Sequence, residues 1–175
     1  MTRECATGSE ALTMGAAEVS QLDVRVVRLD PMRVASVRVV SESPEAEAFG
    51  KLRAWAEPKG LLADTEQHPV YGFNNPSPTR NAKEYGYEFW IKVDSDTAPE
   101  GEIAVRDFAG GLYAVTSCKL ADDPKGSVME VWQQLLAWVH ESPYQWRQTH
   151  ELEGLRDPNA EGQNLVLDLY LPIEG

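Results

Sequence analysis

A seven-residue pattern that occurs twice is the feature that most constrains the fold of this chain. The first copy, Tyr87 to Val93, reads YEFWIKV, and the second, Leu167 to Ile173, reads LDLYLPI. Acid lies over acid and aromatic over aromatic, and the other positions are apolar except where a lysine lies over a proline. Alternation with a period of two is typical of a β-strand whose two faces differ. The chain therefore contains an internal repeat.

Two further segments extend the repeat. LRAW at 52–55 matches LLAW at 135–138, and VASV at 34–37 matches LYAV at 112–115. Each half then contains a strand, a helix and further strands, in that order. Two copies are too few to form a solenoid. We therefore predict one α+β domain built from two pseudo-symmetric β-α-β-β repeats, about residues 23–94 and 102–173. The repeats form antiparallel sheet with one helix each, and they enclose a central ligand cleft.

Each predicted helix begins with residues that favour a helix start, whereas the N-terminal segment of the chain lacks such a signal. Ser43-Pro44 and Asp123-Pro124 each supply an N-cap residue followed by a proline at the first helical position. Residues 1–22 are rich in small and polar residues and show little periodicity, so we predict a flexible tail there. The domain is predicted to occupy residues 23–175.

Composition excludes several classes of protein. The 175 residues suit one domain, and the net charge of −12 argues against direct nucleic-acid binding and against an anionic membrane surface. No apolar run approaches the ~20 residues of a membrane-spanning helix, and no secretory signal is present. Cys5 and Cys118 lie far apart, which favours a reducing cytoplasm as the location. The negative charge is compatible with a cationic ligand.

Motifs for cofactors and metals are absent from the sequence. There is no glycine-rich phosphate loop or nucleophile elbow, and the three histidines, His68, His140 and His150, lack metal-ligand spacing. We therefore predict no metal and no cofactor. The remaining candidate functional groups are carboxylates that lie among aromatic residues in the sequence, above all Glu88 near Trp90. Such an acid either stays ionised against a cationic ligand or becomes a proton donor or base in an apolar pocket, so binding and hydrolysis both stay open.

Five segments in order resemble a known family. They are Val24–Val39, Gly86–Glu88, Val131–Val139, Leu152–Leu155 and the closing strand Leu167–Ile173 with its Leu-Pro-Ile ending. Together they resemble the GyrI-like small-molecule-binding domain, across about residues 23–175. This family comprises the effector-binding domains of AraC- and MerR-type multidrug regulators and stand-alone proteins first described as DNA gyrase inhibitors. No helix-turn-helix precedes the domain here, which favours a stand-alone protein.

The resemblance implies a cleft for hydrophobic, often cationic or aromatic, compounds. The pocket acid of the family maps onto Glu88, and its later acid maps onto Glu153, with Glu151 as the alternative register. Some stand-alone members resemble hydrolases that open cyclopropane-bearing genotoxic compounds with pocket aromatics and a glutamate. In that case Glu88 or Glu153 is the general acid or base.

We thus predict a cytoplasmic protein that binds hydrophobic or cationic xenobiotics. The predicted ligand-binding residues are the two acids and six aromatics that the strands and adjoining loops present: Tyr71, Phe73, Glu88, Trp90, Tyr113, Trp146, Asp168 and Tyr170. The hydrolase described above is the alternative. A second alternative is a protein partner such as DNA gyrase, whose basic DNA-binding surface an acidic protein can occupy.

Overall fold

The computed structural model describes residues 22–120 and 123–175, so the predicted flexible tail lies outside the described residues except for Leu22. Within these ranges the chain forms nine β-strands and two α-helices. The strands are β1 (Arg25–Leu29), β2 (Met32–Ser41), β3 (Val70–Asn74), β4 (Tyr85–Val93), β5 (Ala104–Phe108), β6 (Gly111–Lys119), β7 (Gln145–Trp146), β8 (Leu152–Leu155) and β9 (Val166–Glu174). The helices are α1 (Pro44–Ala56) and α2 (Pro124–Glu141).

All nine strands belong to one antiparallel sheet. Their order is β1-β6-β9-β8-β3-β4-β2-β5, and β7 pairs with β9 off this path. The order is symmetric about the contact between β8 and β3, because β6, β9 and β8 mirror β2, β4 and β3. Each repeat also lends its first strand to the other, since β1 pairs with β6 and β5 pairs with β2. The predicted α+β fold of two pseudo-symmetric repeats is confirmed.

Strand pairing corrects one part of the sequence alignment between the repeats. Ser36 pairs with Trp90, and Val115 pairs with Tyr170. Because Trp90 and Tyr170 are equivalent, Ser36 is equivalent to Val115, and the match of 34–37 with 112–115 is one residue out. A slip of one residue exchanges the two faces of a strand. The error arose because both segments are apolar on both faces, so that alternation did not fix the register.

The two faces of the sheet are covered differently. Both helices pack on one side, the helix face, where Leu52 of α1 and Leu135 of α2 are fully buried. The other side, the inner face, is lined by aromatic side chains, and the sheet curls into a half-barrel around them. Strand β4 is therefore buried on both faces, and Lys92 is its one exposed residue. The sequence predicted a strand buried on one face only. It could not predict burial of the second face, because alternation does not report the curl of the sheet.

Local chemistry explains where the helices begin. Pro44 occupies the first turn of α1 together with Glu45 and Glu47, which favour the positive end of the helix dipole. Asp123 caps α2 by accepting a hydrogen bond from the Gly126 N–H at 3.2 Å. Of the helices in the described ranges, none combines the length and the apolar character needed to cross a membrane.

The packing of α2 yields a test of the fold. Leu135→Ala removes a fully buried side chain, whereas its neighbour Leu136 is 39% exposed. We expect Leu135→Ala to lower the free energy of unfolding by about 2–5 kcal/mol and Leu136→Ala by less than about 1 kcal/mol. Urea denaturation followed by circular dichroism measures both. Equal losses in the two variants would contradict the observed orientation of α2.

Candidate functional site

A cavity of about 510 Å³ lies between α2, the start of α1 and the helix face of the sheet. Its walls are mostly apolar, and polar side chains occur at its floor and mouth. The lining residues are Glu45, Asn74, Pro78, Tyr85, Tyr87, Phe89, Leu120, Pro124, Lys125, Val128, Met129, Trp132, Glu153, Leu155, Leu165 and Leu167. We call this the apolar cavity.

One carboxylate lies within this apolar wall. Glu153 of β8 accepts a hydrogen bond from the Tyr87 hydroxyl of β4 at 2.7 Å. Strand β3 lies between those two strands, and Gly72 of β3 pairs with Glu153 on one side and with Phe89 on the other. A Cβ atom on Gly72 would lie 2.5 Å from the Tyr87 hydroxyl oxygen. The missing side chain therefore lets the tyrosine ring cross β3 and reach the carboxylate.

The environment of Glu153 favours its protonated form. Burial raises its pKa, hydrogen bonds from Tyr87 and Trp132 lower it, and the negative charge of Glu45 raises it again, with a net upward shift. A carboxyl group in this state can hold a proton, or it can give the proton up when a cation arrives. The site thus contains one carboxyl group that is harder to ionise than an ordinary glutamic acid.

The mouth of the apolar cavity lies where the two helices begin. The Tyr85 hydroxyl donates to both carboxylate oxygens of Glu45, at 2.9 and 2.8 Å, and the Lys125 ammonium lies 5.7 Å from the Tyr85 ring centre. Burial, followed by Glu45, raises the pKa of Tyr85 to about 12, so its hydroxyl remains a donor. Met129 of α2 is 62% exposed at this rim. An apolar surface is therefore open to an incoming molecule.

A second, smaller cavity of about 260 Å³ adjoins the first, and we call it the polar cavity. It lies at the end of the sheet where β3 finishes and β8 begins. Its lining residues are Phe73, Asn74, Ser77, Trp132, Thr149, His150, Glu151 and Glu153. Asn74, Trp132 and Glu153 line both cavities. The two spaces therefore share a wall that contains the half-buried Glu153 carboxylate.

Glu88 lies on the inner face, in neither of these two cavities. It is 1% exposed and accepts hydrogen bonds from Ser36 Oγ at 2.7 Å, Trp90 Nε1 at 2.8 Å and Asn75 Nδ2 at 2.9 Å. An Arg106 nitrogen lies 3.5 Å from the same carboxylate. Burial raises the pKa of Glu88, but the three hydrogen bonds and Arg106 outweigh it, so the pKa is lowered. Glu88 is a fully partnered, ionised group.

Five of the predicted aromatic side chains cluster with Glu88 on the inner face rather than with Glu153. Tyr71 packs on Tyr170 with ring centres 5.5 Å apart, Phe73 packs on Trp90 at 4.8 Å, and Tyr113 contacts Tyr170 at 6.0 Å. Phe73 is the one member of this cluster that also lines the polar cavity. The cluster is core packing of the half-barrel, since all its members but Tyr170 are buried.

The remaining predicted residues lie apart from both cavities. Trp146 of β7 is 45% exposed. Asp168 shares the inner face with Glu88, but strands β3 and β8 lie between them, and Asp168 pairs with Arg156 at 2.7 Å and Ser117 at 2.7 Å. The structure therefore separates the predicted residues into an inner-face group around Glu88 and a helix-face site around Glu153.

Sequence reasoning missed Tyr87, Trp132 and the apolar wall of α2. Tyr87 lies on the apolar side of the alternating strand, and Trp132 and Val128 belong to an apolar helical stripe. Such stripes usually indicate core. The signal that could have located the site was the pair of acids that flank Leu152, Glu151 and Glu153. An acid within a short apolar strand is unusual, because acids are rarely buried.

No metal site is apparent in the described part of the chain. No group of three His, Cys, Asp or Glu side chains within residues 22–120 and 123–175 is arranged to hold a metal ion. His68 has its Nδ1 atom 2.8 Å from the Lys92 carbonyl oxygen.

Comparison with solved structures identifies the same fold in several proteins. The EcmrR C-terminal domain superposes with a TM-score of 0.62 at 15% identity, covering 88% of this chain and 98% of that one. SAV2435 bound to tetraphenylphosphonium gives 0.54 at 13% identity, covering 88% and 95%. A hydrolase encoded by lin2189 from Listeria innocua gives 0.59 at 11% identity, covering 87% and 92%. These identities are low, so the likeness concerns the fold.

EcmrR is also known as a longer chain in complex with DNA. Against that chain the TM-score is 0.64 at 16% identity, and the match covers 87% of this chain but 57% of that one. This chain thus spans a little over half the length of that regulator. Among curated proteins, none matches this chain significantly in sequence.

The sequence itself matches one family profile. The profile of Cass2, the integron-associated effector binding protein, matches residues 25–173, which include both repeats and both cavities. The resemblance to GyrI-like effector-binding domains is confirmed by this match and by the shared fold of the EcmrR domain and SAV2435. The chain belongs to the Cass2 family of integron-associated effector binding proteins.

Proposed function

We propose that this protein binds aromatic or otherwise apolar organic cations in the apolar cavity, with Glu153 as the counter-charge. The observation that carries the proposal is the carboxylate of Glu153, held by Tyr87 within an apolar wall. A cation there offsets a charge that burial otherwise disfavours, and the Trp132 and Tyr87 rings offer faces for cation–π contact. SAV2435, which shares the fold, was solved with the lipophilic cation tetraphenylphosphonium, and this supports the class of ligand.

The size of the cavity suits this ligand class. A volume of about 510 Å³ falls within the roughly 300–1,000 Å³ of small-molecule sites. A micromolar ligand requires about 8 kcal/mol of binding free energy. Burial of apolar rings against Phe89, Val128 and Leu167, together with one desolvated charge pair, can supply that amount.

In this proposal Glu88 has a different role from the one predicted for it. Its carboxylate is already satisfied by three hydrogen bonds and Arg106, so a ligand would have to displace a partner to reach it. We propose that Glu88 anchors the inner face and the start of the loop after β3. Contact between Glu88 and a ligand stays a prediction, and the variants below distinguish the two acids.

Glu153→Gln is the direct test. Glutamine keeps a carbonyl oxygen that can accept from Tyr87 but removes the negative charge, so we expect tetraphenylphosphonium affinity to fall about tenfold, equivalent to 1.4 kcal/mol. Isothermal titration calorimetry measures the change, with exposed Glu66→Gln as the matched control that leaves affinity unaltered. Wild-type affinity in Glu153→Gln with a tenfold loss in Glu88→Gln would instead favour a ligand site on the inner face.

The raised pKa of Glu153 predicts the pH dependence of binding. A permanent cation favours the ionised carboxylate, whereas burial in the empty site raises the pKa of Glu153. Affinity for tetraphenylphosphonium should therefore rise as pH increases from about 4.5 through the raised pKa and then level off. Neutral triphenylphosphine oxide should lack this rise, as should the cation with Glu153→Gln. A flat profile for wild type with the cation would contradict the role of Glu153.

Hydrolysis is the second candidate function, and the same raised pKa favours it. When the ligand is neutral, Glu153 can retain its proton at higher pH than an ordinary glutamic acid and can act as a general acid. It would donate that proton to the atom that leaves a strained carbon, while water adds to that carbon and later returns a proton to the carboxylate. The hydrolase from Listeria innocua with this fold supports this alternative.

Mass spectrometry separates the two functions. We expect tetraphenylphosphonium to be recovered unchanged, because it offers no strained bond to open. A neutral cyclopropane-bearing electrophile incubated with wild-type protein would yield a product heavier by one water if the chain is a hydrolase. Glu153→Gln should abolish that product, because it removes the proton donor. Quantitative recovery of the intact electrophile from a saturated wild-type protein would count against hydrolysis and leave the binding function.

A further inference from the structure

The polar cavity has no role in a site that takes a simple apolar cation. It adds about 260 Å³ beyond the apolar cavity, and its lining carries hydroxyl, amide, imidazole and carboxylate groups. Trp132 and Glu153 belong to both linings, so the cavities meet at the Glu153 carboxylate. A ligand whose charge contacts Glu153 therefore has space on two sides of that charge, one apolar and one polar.

The charge in the polar cavity is negative. Glu151 and Glu153 both line it, and residues two apart on an extended chain project to the same side. His150 is the one basic residue in the lining. Burial lowers the pKa of His150, the negative charge of Glu88 raises it, and Arg106 lowers it again, with a net downward shift. The imidazole is consequently neutral at neutral pH and does not offset the two carboxylates.

Aromatic rings line part of the same space. Phe73 and Trp132 contribute to its wall, and the His150 ring packs on Phe73 with ring centres 4.7 Å apart. Thr149, Ser77 and Asn74 add hydrogen-bonding groups. A protonated amine fits this combination, because it donates several hydrogen bonds and gains from both carboxylates and ring faces.

We propose that the polar cavity is a subsite for a second protonated amine, so that the preferred ligand is an aromatic diamine rather than a monocation. This inference rests on the proposed function. The aromatic body occupies the apolar cavity, the first nitrogen lies beside Glu153, and a short aliphatic arm carries the second nitrogen to Glu151. An extended backbone separates residues two apart by about 7 Å, which sets the reach of the arm at a few carbon atoms.

A matched series of ligands tests the subsite. The probes are 1-naphthylmethylamine, its N-(3-aminopropyl) derivative and its N-(3-hydroxypropyl) derivative, with tetraphenylphosphonium as the reference monocation. The three naphthyl probes share one aromatic body, and the two derivatives differ only in the group at the end of the propyl arm. Because Glu151 is exposed, its ion pair is screened, and we expect the diamine to bind wild type about threefold to fivefold more tightly than the hydroxyl analogue. Calorimetry at pH 7 and low salt gives each affinity.

Variants identify the residues that cause the preference for the diamine over the hydroxyl analogue. Glu151→Gln should bring the ratio of diamine to hydroxyl-analogue affinity close to one, and Glu153→Gln should weaken every cation in the series. Exposed Glu66→Gln, outside both cavities, should leave the ratio unchanged. High salt should reduce the diamine preference, because it screens exposed charges.

Two failures are distinguishable. If tetraphenylphosphonium and the monoamine bind but the diamine binds no better than the hydroxyl analogue, or if its preference survives in Glu151→Gln, the amine subsite is wrong and the proposed function stands. If no cation in the series binds, the proposed function fails and the subsite fails with it. A wild-type preference that Glu151→Gln removes supports both.

Discussion

The hydrogen bond from Tyr87 to Glu153 is the interaction on which the candidate site depends. It joins β4 of the first repeat to β8 of the second, across β3, at 2.7 Å. The contact is possible because Gly72 has no side chain where the ring passes. Neither repeat could build the site alone, since one supplies the donor and the other supplies the carboxylate. The orientation of the carboxylate is thus fixed by the junction of the repeats, before any ligand arrives.

Two glutamates of this chain show how environment divides the roles of one residue type. Glu88 is buried and Glu153 is half-buried, yet their pKa values shift in opposite directions. Glu88 has three hydrogen-bond donors and a nearby guanidinium, which more than offset its burial. Glu153 has Tyr87 and Trp132 as donors, an apolar surround and the negative charge of Glu45. One carboxylate is consequently a permanent charge within the fold, and the other can change its charge with its surroundings.

The sequence predicted the repeat, the helices and the α+β fold because these follow from periodicity and capping. It also placed Glu88 and Trp90 on the same face of a strand, which the structure bears out. It could not predict that Ser36 of β2, 52 positions away, and Arg106 of β5, beyond β2, would satisfy Glu88. Nor could alternation report that the sheet curls and buries the face that carries Trp90. The apolar wall of Tyr87 and Trp132 has the same periodicity as a core, and only the gap between α2 and the sheet makes it a cavity.

The loop after β3 is held by hydrogen bonds at its base and is exposed at its tip. The Asn75 N–H donates to the Gly86 carbonyl at 2.9 Å, the Gly86 N–H donates to the Pro76 carbonyl at 2.8 Å, and the Asn75 side chain donates to Glu88. Between these anchors residues 77–84 are all exposed, and Ser77 and Pro78 line the polar and apolar cavities respectively. Substitutions in this segment would change the edge of the two cavities while the backbone that carries it keeps its attachment. The shape and polarity of the cavity edge can therefore change here at little cost in stability.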